Sequence, residues 1–194
     1  MFDSVIWTGH VMDFESLYLK APVDLIFHNY LSISAKMTSY PEGDTVQNAF
    51  AIVAATGYLQ QKPTEENSTP GEDMMACFAL HSSAPRNTPD SAETLAHNTK
   101  PNSWSVAHVD HILSECMYRR FFITKKGYLG LGPGPMEVGD SVCVLFGGKT
   151  PFILRKEEDH FKLIGESYIH GIMEGEVIQQ FEAGELEEQW FEIR

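Results

Sequence analysis

Apolar residues run densely along the chain in two stretches, with polar sequence between them. From Met1 to about Gln60 the sequence is apolar with scattered aromatic residues, among them Trp7, Phe14, Tyr18, Phe27 and Tyr30. Gln61 to Asp73 is rich in Glu, Pro, Ser, Thr and Asn, and reads as a surface excursion that buries nothing. A second polar stretch, Ser82 to Asn102, carries Pro85, Pro89 and Pro101 and precedes a denser C-terminal half.

In the first half, Asp13 is placed to cap a short helix presenting Phe14, Leu17 and Tyr18. Between Asp24 and Ile33, Leu25, Ile26, Asn29 and Tyr30 suit a helix, whereas Leu31, Ile33 and Ala35 alternate as in a strand. Both readings stand. Ala49 to Ala55, followed by Thr56 to Leu59, reads as a buried strand, with Met74 to Leu80 as its partner.

The second half opens with an amphipathic helix over Ser103 to Arg120, capped by Ser103 or Ser105, with Val106, Val109, Leu113, Cys116 and Met117 at helical spacing. Strand and turn sequences follow. Phe121 to Thr124 is β-prone, Lys125-Lys126-Gly127 turns, and Tyr128 to Gly130 restarts. Ser141 to Phe146 is predicted as a strand after the Val138-Gly139-Asp140 turn, and Gly147-Gly148-Lys149 as a hairpin turn. Thr150 to Leu154 and Phe161 to His170 continue the series. Short strands at this spacing predict an α+β, mainly β fold: a small barrel or rolled antiparallel sheet with a few helices.

The 194 residues suit one domain. It is divided into residues 1–81, a polar loop at 82–102 and a C-terminal part at 103–194. With 14 basic against 27 acidic side chains, the net charge of −13 speaks against nucleic acid and anionic membrane as partners. Three separated cysteines without a C-x-x-C pair make neither a disulfide framework nor a structural zinc site. The N-terminus has no signal-peptide pattern. The longest apolar run, Ala49 to Ala55, is far short of the roughly 20 residues of a spanning helix. The expectation is a soluble, cytoplasmic protein.

Two glycine-rich stretches fail as nucleotide sites. Gly147-Gly148-Lys149-Thr150 has Cys143 where a phosphate loop needs its first glycine, and Pro151 where the helix should start. Gly130 to Gly134 includes Pro133, is followed by Pro135, and no helical pattern comes after it. His108, His111 and Glu115 share a helix face and are a weak metal candidate beside the plainer reading of a solvated face. No cofactor or metal is expected. The acidic tail, Glu182 to Glu192, is expected to dock Leu186, Trp190 and Phe191 on the body.

One stretch concentrates polar chemistry. If Phe161 to His170 is one strand, Phe161, Leu163, Ser167 and Ile169 take one face, and Ile164, Glu166, Tyr168 and His170 take the other. A carboxylate, a phenol and an imidazole on one half-buried face must pair with one another or face a cavity. The alternative is a hydrogen-bonded network bracing a barrel corner, with Arg155 as a member.

Arg119 to Pro133 resembles a segment in the C-terminal part of fungal heterokaryon-incompatibility proteins. Gly139 to Arg155 and Leu163 to Glu176 resemble it too, in the same order and spacing. The likeness covers roughly Trp104 to Ile178. It implies a fungal source and a module-like fold. Those proteins carry an N-terminal domain credited with signalling, and nothing before Trp104 resembles it. By extension, stand-alone relatives are candidates for tailoring steps in fungal secondary metabolism, including Diels–Alder ring closure.

These readings yield two expectations. The first is a cofactor-independent cyclase or isomerase acting on a hydrophobic small molecule such as a terpenoid or polyketide. Tyr168 or His170 donates a hydrogen bond to the substrate carbonyl, Glu166 or Arg155 orients the donor, and Trp104 and Tyr128 form apolar walls. The second is a non-catalytic protein-interaction module. An enclosed apolar cavity favours the first, and a filled core with outward apolar groups favours the second.

Overall fold

The segment Leu129-Gly130-Leu131-Gly132 shows in four residues how the molecule is layered. The computed structural model describes residues 2–12, 22–57, 69–74 and 106–194. Within it, β3 (Leu129–Pro133) pairs with β2 (Arg119–Thr124), Phe122 opposite Gly130. Period-two alternation sends Phe121, Ile123, Leu129 and Leu131 to a core shared with the helices. Phe122 points the other way, into a second core with Phe2, Val5, Val142, Ile153 and Ile169. Gly130 and Gly132 share that inner side and leave room for the Phe122 ring.

The sheet has seven strands in the order β6-β5-β4-β1-β2-β3-β7, and its pairings are antiparallel. The remaining strands are β1 (Asp3–Thr8), β4 (Ser141–Cys143), β5 (Phe152–Lys156), β6 (Phe161–Glu166) and β7 (Tyr168–Ile169). β1 serves two halves of the sheet: Asp3 and Ser4 pair with β4, and Val5 to Thr8 pair with β2 across an irregularity between Val5 and Trp7. β6 and β7 stand at opposite ends of the order, yet only Ser167 separates them in the chain. The sheet therefore rolls up, and β3 packs beside β6. The result is the expected α+β, mainly β architecture.

Helices cover the β2–β3 face. Helix α1 (Pro22–Ser34) settles the ambiguity over residues 24–33 in favour of a helix. Helix α2 (Val46–Ala54) corrects the strand predicted at Ala49 to Ala55. A short apolar run has no periodicity to separate a buried strand from a buried helix. The deciding signal lies just upstream, where the Thr45 hydroxyl accepts the Asn48 N–H at 3.1 Å as an N-cap. Ala49 to Ala54 are all buried, and Phe50 stacks on Phe121 at 4.7 Å between ring centroids. Met74 ends a helical stretch at 70–74 instead of opening the predicted strand; residues 75–80 lie outside the described residues. Helix α3 (Val106–Cys116) bears out the predicted helix but ends at Cys116, since Arg119 and Arg120, expected in its last turn, open β2 instead; its expected caps, the helix at Asp13 and the 82–102 loop lie outside the described residues.

Two further strand predictions change. The strand expected from Ser141 to Phe146 stops at Cys143, and Phe146 enters the β4–β5 turn. Phe161 to His170 is two strands instead of one. Ile153 faces Gly165 and Leu154 faces Leu163, so Ile164 is an extra residue in β6, and the ladder breaks again at Ser167. The predicted alternation fails as a result: Leu163 is exposed, Ser167 and Ile169 are buried. After β7 comes helix α4 (Glu176–Glu182).

The two-layer packing is testable at Gly130. An added Cβ there falls 2.5 Å from the Phe122 ring and 2.8 Å from the Tyr168 carbonyl oxygen. Gly130→Ala is expected to cost about 1–3 kcal/mol by overpacking, measured by urea denaturation. An unchanged midpoint contradicts the assignment of Gly130 to the packed interior.

Candidate functional site

The polar side chains singled out in the sequence lie on different elements and take different partners. His170 follows β7 and is partly buried. Its Nε2 lies 3.1 Å from Asp44 Oδ2, and its ring stacks on Tyr40 at 5.3 Å. Asp44 stands just before the α2 cap, where it also accepts the Thr45 N–H at 2.7 Å and the Asn48 amide at 3.0 Å. A carboxylate at this helix end is favourably placed. The Tyr40 hydroxyl donates to the His170 carbonyl at 2.8 Å and accepts the Leu129 N–H at 3.3 Å. This group joins the start of α2 to the β3–β7 pair. Burial raises the Tyr40 phenol pKa.

Tyr168 packs against the helix-side core, its hydroxyl close to Gly57 at the end of α2. Burial, reinforced by Glu174 and Glu176, pushes its pKa up to about 12. At neutral pH it is therefore a hydrogen-bond donor and a poor proton-transfer group. Glu166 is exposed; its backbone carbonyl, not its carboxylate, meets Arg119 at 3.5 Å. Arg155 is held elsewhere. Its Nε and Nη2 donate to the buried Asp140 carboxylate at 2.8 and 2.9 Å, and Nη2 also donates to the Pro135 carbonyl. Glu137 adds a contact at 3.2 Å. The hydrogen bond to Asp140 raises the Arg155 pKa above its ordinary value.

Tyr128 is buried between Phe2 and Tyr40, as part of the packed interior. Trp104 and the His108 side chain lie outside the described residues. Glu115 accepts from the Thr56 hydroxyl at 3.2 Å, and among the described residues no group of three His, Cys, Asp or Glu side chains is arranged to hold a metal. The Cys116 thiol contacts the Ala54 carbonyl at 3.6 Å; burial pushes Cys116 up to about 12 and Cys143 to about 11, so both are weak nucleophiles. Sequence reasoning missed Tyr40, Asp44 and Asp140. The Asp-Thr-x-x-Asn capping pattern was the available signal for Asp44, and the Gly139-Asp140 turn for Asp140.

A concave apolar surface lies apart from these groups. A groove of about 100 Å³ is lined by Phe2, Val144, Phe146, Val177, Phe181 and Leu186, with the exposed Glu187 and Glu188 along its edge. Phe146 is 68% exposed and meets Phe181 edge to face at 5.5 Å. The tail docks Leu186 on the barrel core and Phe191 on Phe161, but Trp190 is 90% exposed, against the expectation that it too docks. No described helix is long and apolar enough to cross a membrane.

The family model for the Het-6 beta-barrel domain matches residues 56–187, more than half the chain. The chain belongs to the Het-6 beta-barrel family. It is also 38% identical over 82 residues to heterokaryon incompatibility protein 6, OR allele, of Neurospora crassa. That match covers 36% of this chain and 12% of the Neurospora protein. No solved structure matches. In this Het-6 barrel, the segments likened to incompatibility proteins form β2, β3, β4, β7 and most of β5 and β6, which with β1 contribute strand residues to the two cores.

Two measurements test these assignments. Arg155→Met leaves the Asp140 carboxylate buried without its cation. The expected loss is about 2–3 kcal/mol, somewhat below a fully buried pair because Arg155 keeps some water contact. Asp140→Asn in the same chain should recover part of it. Tyr168 ionises near pH 12 when folded against 10 when exposed. The unfolded chain thus ionises first, and the stability linked to this phenol is complete below pH 10 and lost between 10 and 12. Tyrosinate absorbance should show late phenols from Tyr40 and Tyr168, and Tyr168→Phe should remove one of them while that of Tyr40 remains; a late signal of equal size in both chains contradicts the burial of Tyr168.

Proposed function

We propose that this chain is a non-catalytic protein-interaction module of the heterokaryon-incompatibility type. The observation that carries the reading is the state of the candidate chemistry: Arg155 and His170 are each held at a joint between elements, and Tyr168 is partly buried against the helix-side core. Family membership supports it, as does apolar surface turned outward at Phe146 and Trp190. Residues before and after the polar stretch act in this reading as one domain, because β1 pairs with both β2 and β4.

The cyclase reading needs a pocket that encloses a hydrophobic substrate. Typical small-molecule pockets measure roughly 300–1,000 Å³. The described groove is about 100 Å³, and neither Tyr168 nor His170 lines it. A packed interior with outward aromatic groups is what a recognition module requires. The module acts in this reading in a reducing, cytoplasmic setting.

The decisive experiment is reconstitution. Proximity labelling of the tagged chain in a fungal host is followed by mixing the purified chain with each purified protein recovered. A stable complex of defined stoichiometry is the expected result. Consumption of a compound from a fungal metabolite extract overturns the proposal if folded Tyr168→Phe or His170→Ala variants abolish it.

A further inference from the structure

We propose that the groove beside α4 is the docking site for a basic amphipathic segment of a protein partner. The inference rests on the module reading and names the surface and the chemistry it recognises.

The groove has the shape to seat such a segment. α4, the β4–β5 turn and the tail meet around a shallow apolar trough, and the Phe146–Phe181 contact fixes one wall. Phe146 turns 68% of its surface to water at this wall, and Trp190 stands 90% exposed on the neighbouring tail. Large aromatic groups at a protein surface are the side chains that most often anchor a partner. Their exposure is not a by-product of poor packing, since Leu186 and Phe191 on the same tail are docked.

The charge around the groove is complementary to a basic segment. Residues 174–194 contain seven glutamates and one arginine, so 1 − 7 = −6 of the chain's −13 resides here. Arg194 is already engaged with Glu192 at 2.6 Å and Asp159 at 3.5 Å. Glu187 and Glu188 are exposed along the groove with no cation paired to them among the described residues. An apolar trough with a carboxylate rim is complementary to a segment with apolar groups on one face and Lys or Arg on the other. A second copy brings the same acidic face and is repelled in a two-fold contact. An anionic bilayer is repelled for the same reason.

The test uses the full chain and a fluorescent peptide of about 14 residues, built from Leu and Lys with Leu at i, i+3, i+4 and i+7. Peptides of the same composition in scrambled order, and of Leu and Glu, serve as controls. The Leu–Lys peptide is expected to bind by anisotropy, to shift Trp190 emission to shorter wavelength, and to weaken about tenfold between low and high salt. Phe146→Ser, and Glu187→Gln with Glu188→Gln, should each weaken binding about fivefold or more. These side chains are exposed, and circular dichroism checks that the fold is kept. The proposal is overturned if the scrambled or Leu–Glu peptide binds equally well, if the variants bind like the unchanged chain, or if light scattering shows a dimer that Phe146→Ser dissolves. A reconstituted partner complex that survives all three substitutions overturns the groove and leaves the module reading intact. Absence of any partner complex overturns the module reading itself.

Discussion

Everything in this fold depends on how the chain passes from β6 to β7. The two strands belong at opposite ends of a seven-stranded order, and a single residue, Ser167, carries the chain from one to the other. Its N–H and hydroxyl both donate to the Pro151 carbonyl, at 2.9 and 3.1 Å, so a buried polar residue is satisfied on both its groups. Gly165, two residues earlier, has φ of +152°, a backbone state that an L side chain rarely adopts, and it sits against Pro133 of β3. The roll of the sheet is narrow as a consequence. Phe122, Val142, Ile153 and Ile169 fill its interior, and two glycines in β3 are needed to admit one phenylalanine ring.

The fold was legible where one physical rule acted alone. Alternation and turn residues found β2, β3, the hairpin at Gly147 and, by spacing, the rolled sheet as a whole. Legibility failed where two rules gave the same pattern. An all-apolar run such as Ala49 to Ala55 satisfies a buried helix and a buried strand equally, and only the cap at Thr45 separates them. It failed again where one inserted residue resets the face of each residue after it. The bulge at Ile164 and the break at Ser167 are invisible to a period-two count, and they scatter the face predicted for Glu166, Tyr168 and His170.

The candidate site was less legible than the fold because the unusual feature was read correctly and its partners were not. A phenol, an imidazole and a guanidinium inside a small β-structure do need partners. The partners come from far along the chain: Asp44 and Tyr40 for His170, the end of α2 for Tyr168, Asp140 for Arg155. Each group brings together two pieces of structure that are distant in the chain. In this member of the Het-6 beta-barrel family, these polar ties link strands, turns and the start of α2.

The tail also guards a margin of the sheet. At Phe161 the outer side of β6 is taken up by the chain's own last residues: Phe161 donates its N–H to the Glu192 carbonyl at 2.7 Å, and Arg194 donates to the Phe161 carbonyl at 3.0 Å. An open strand margin is where β-rich chains can pair with one another, and at Phe161 a short negatively charged segment already occupies those backbone groups.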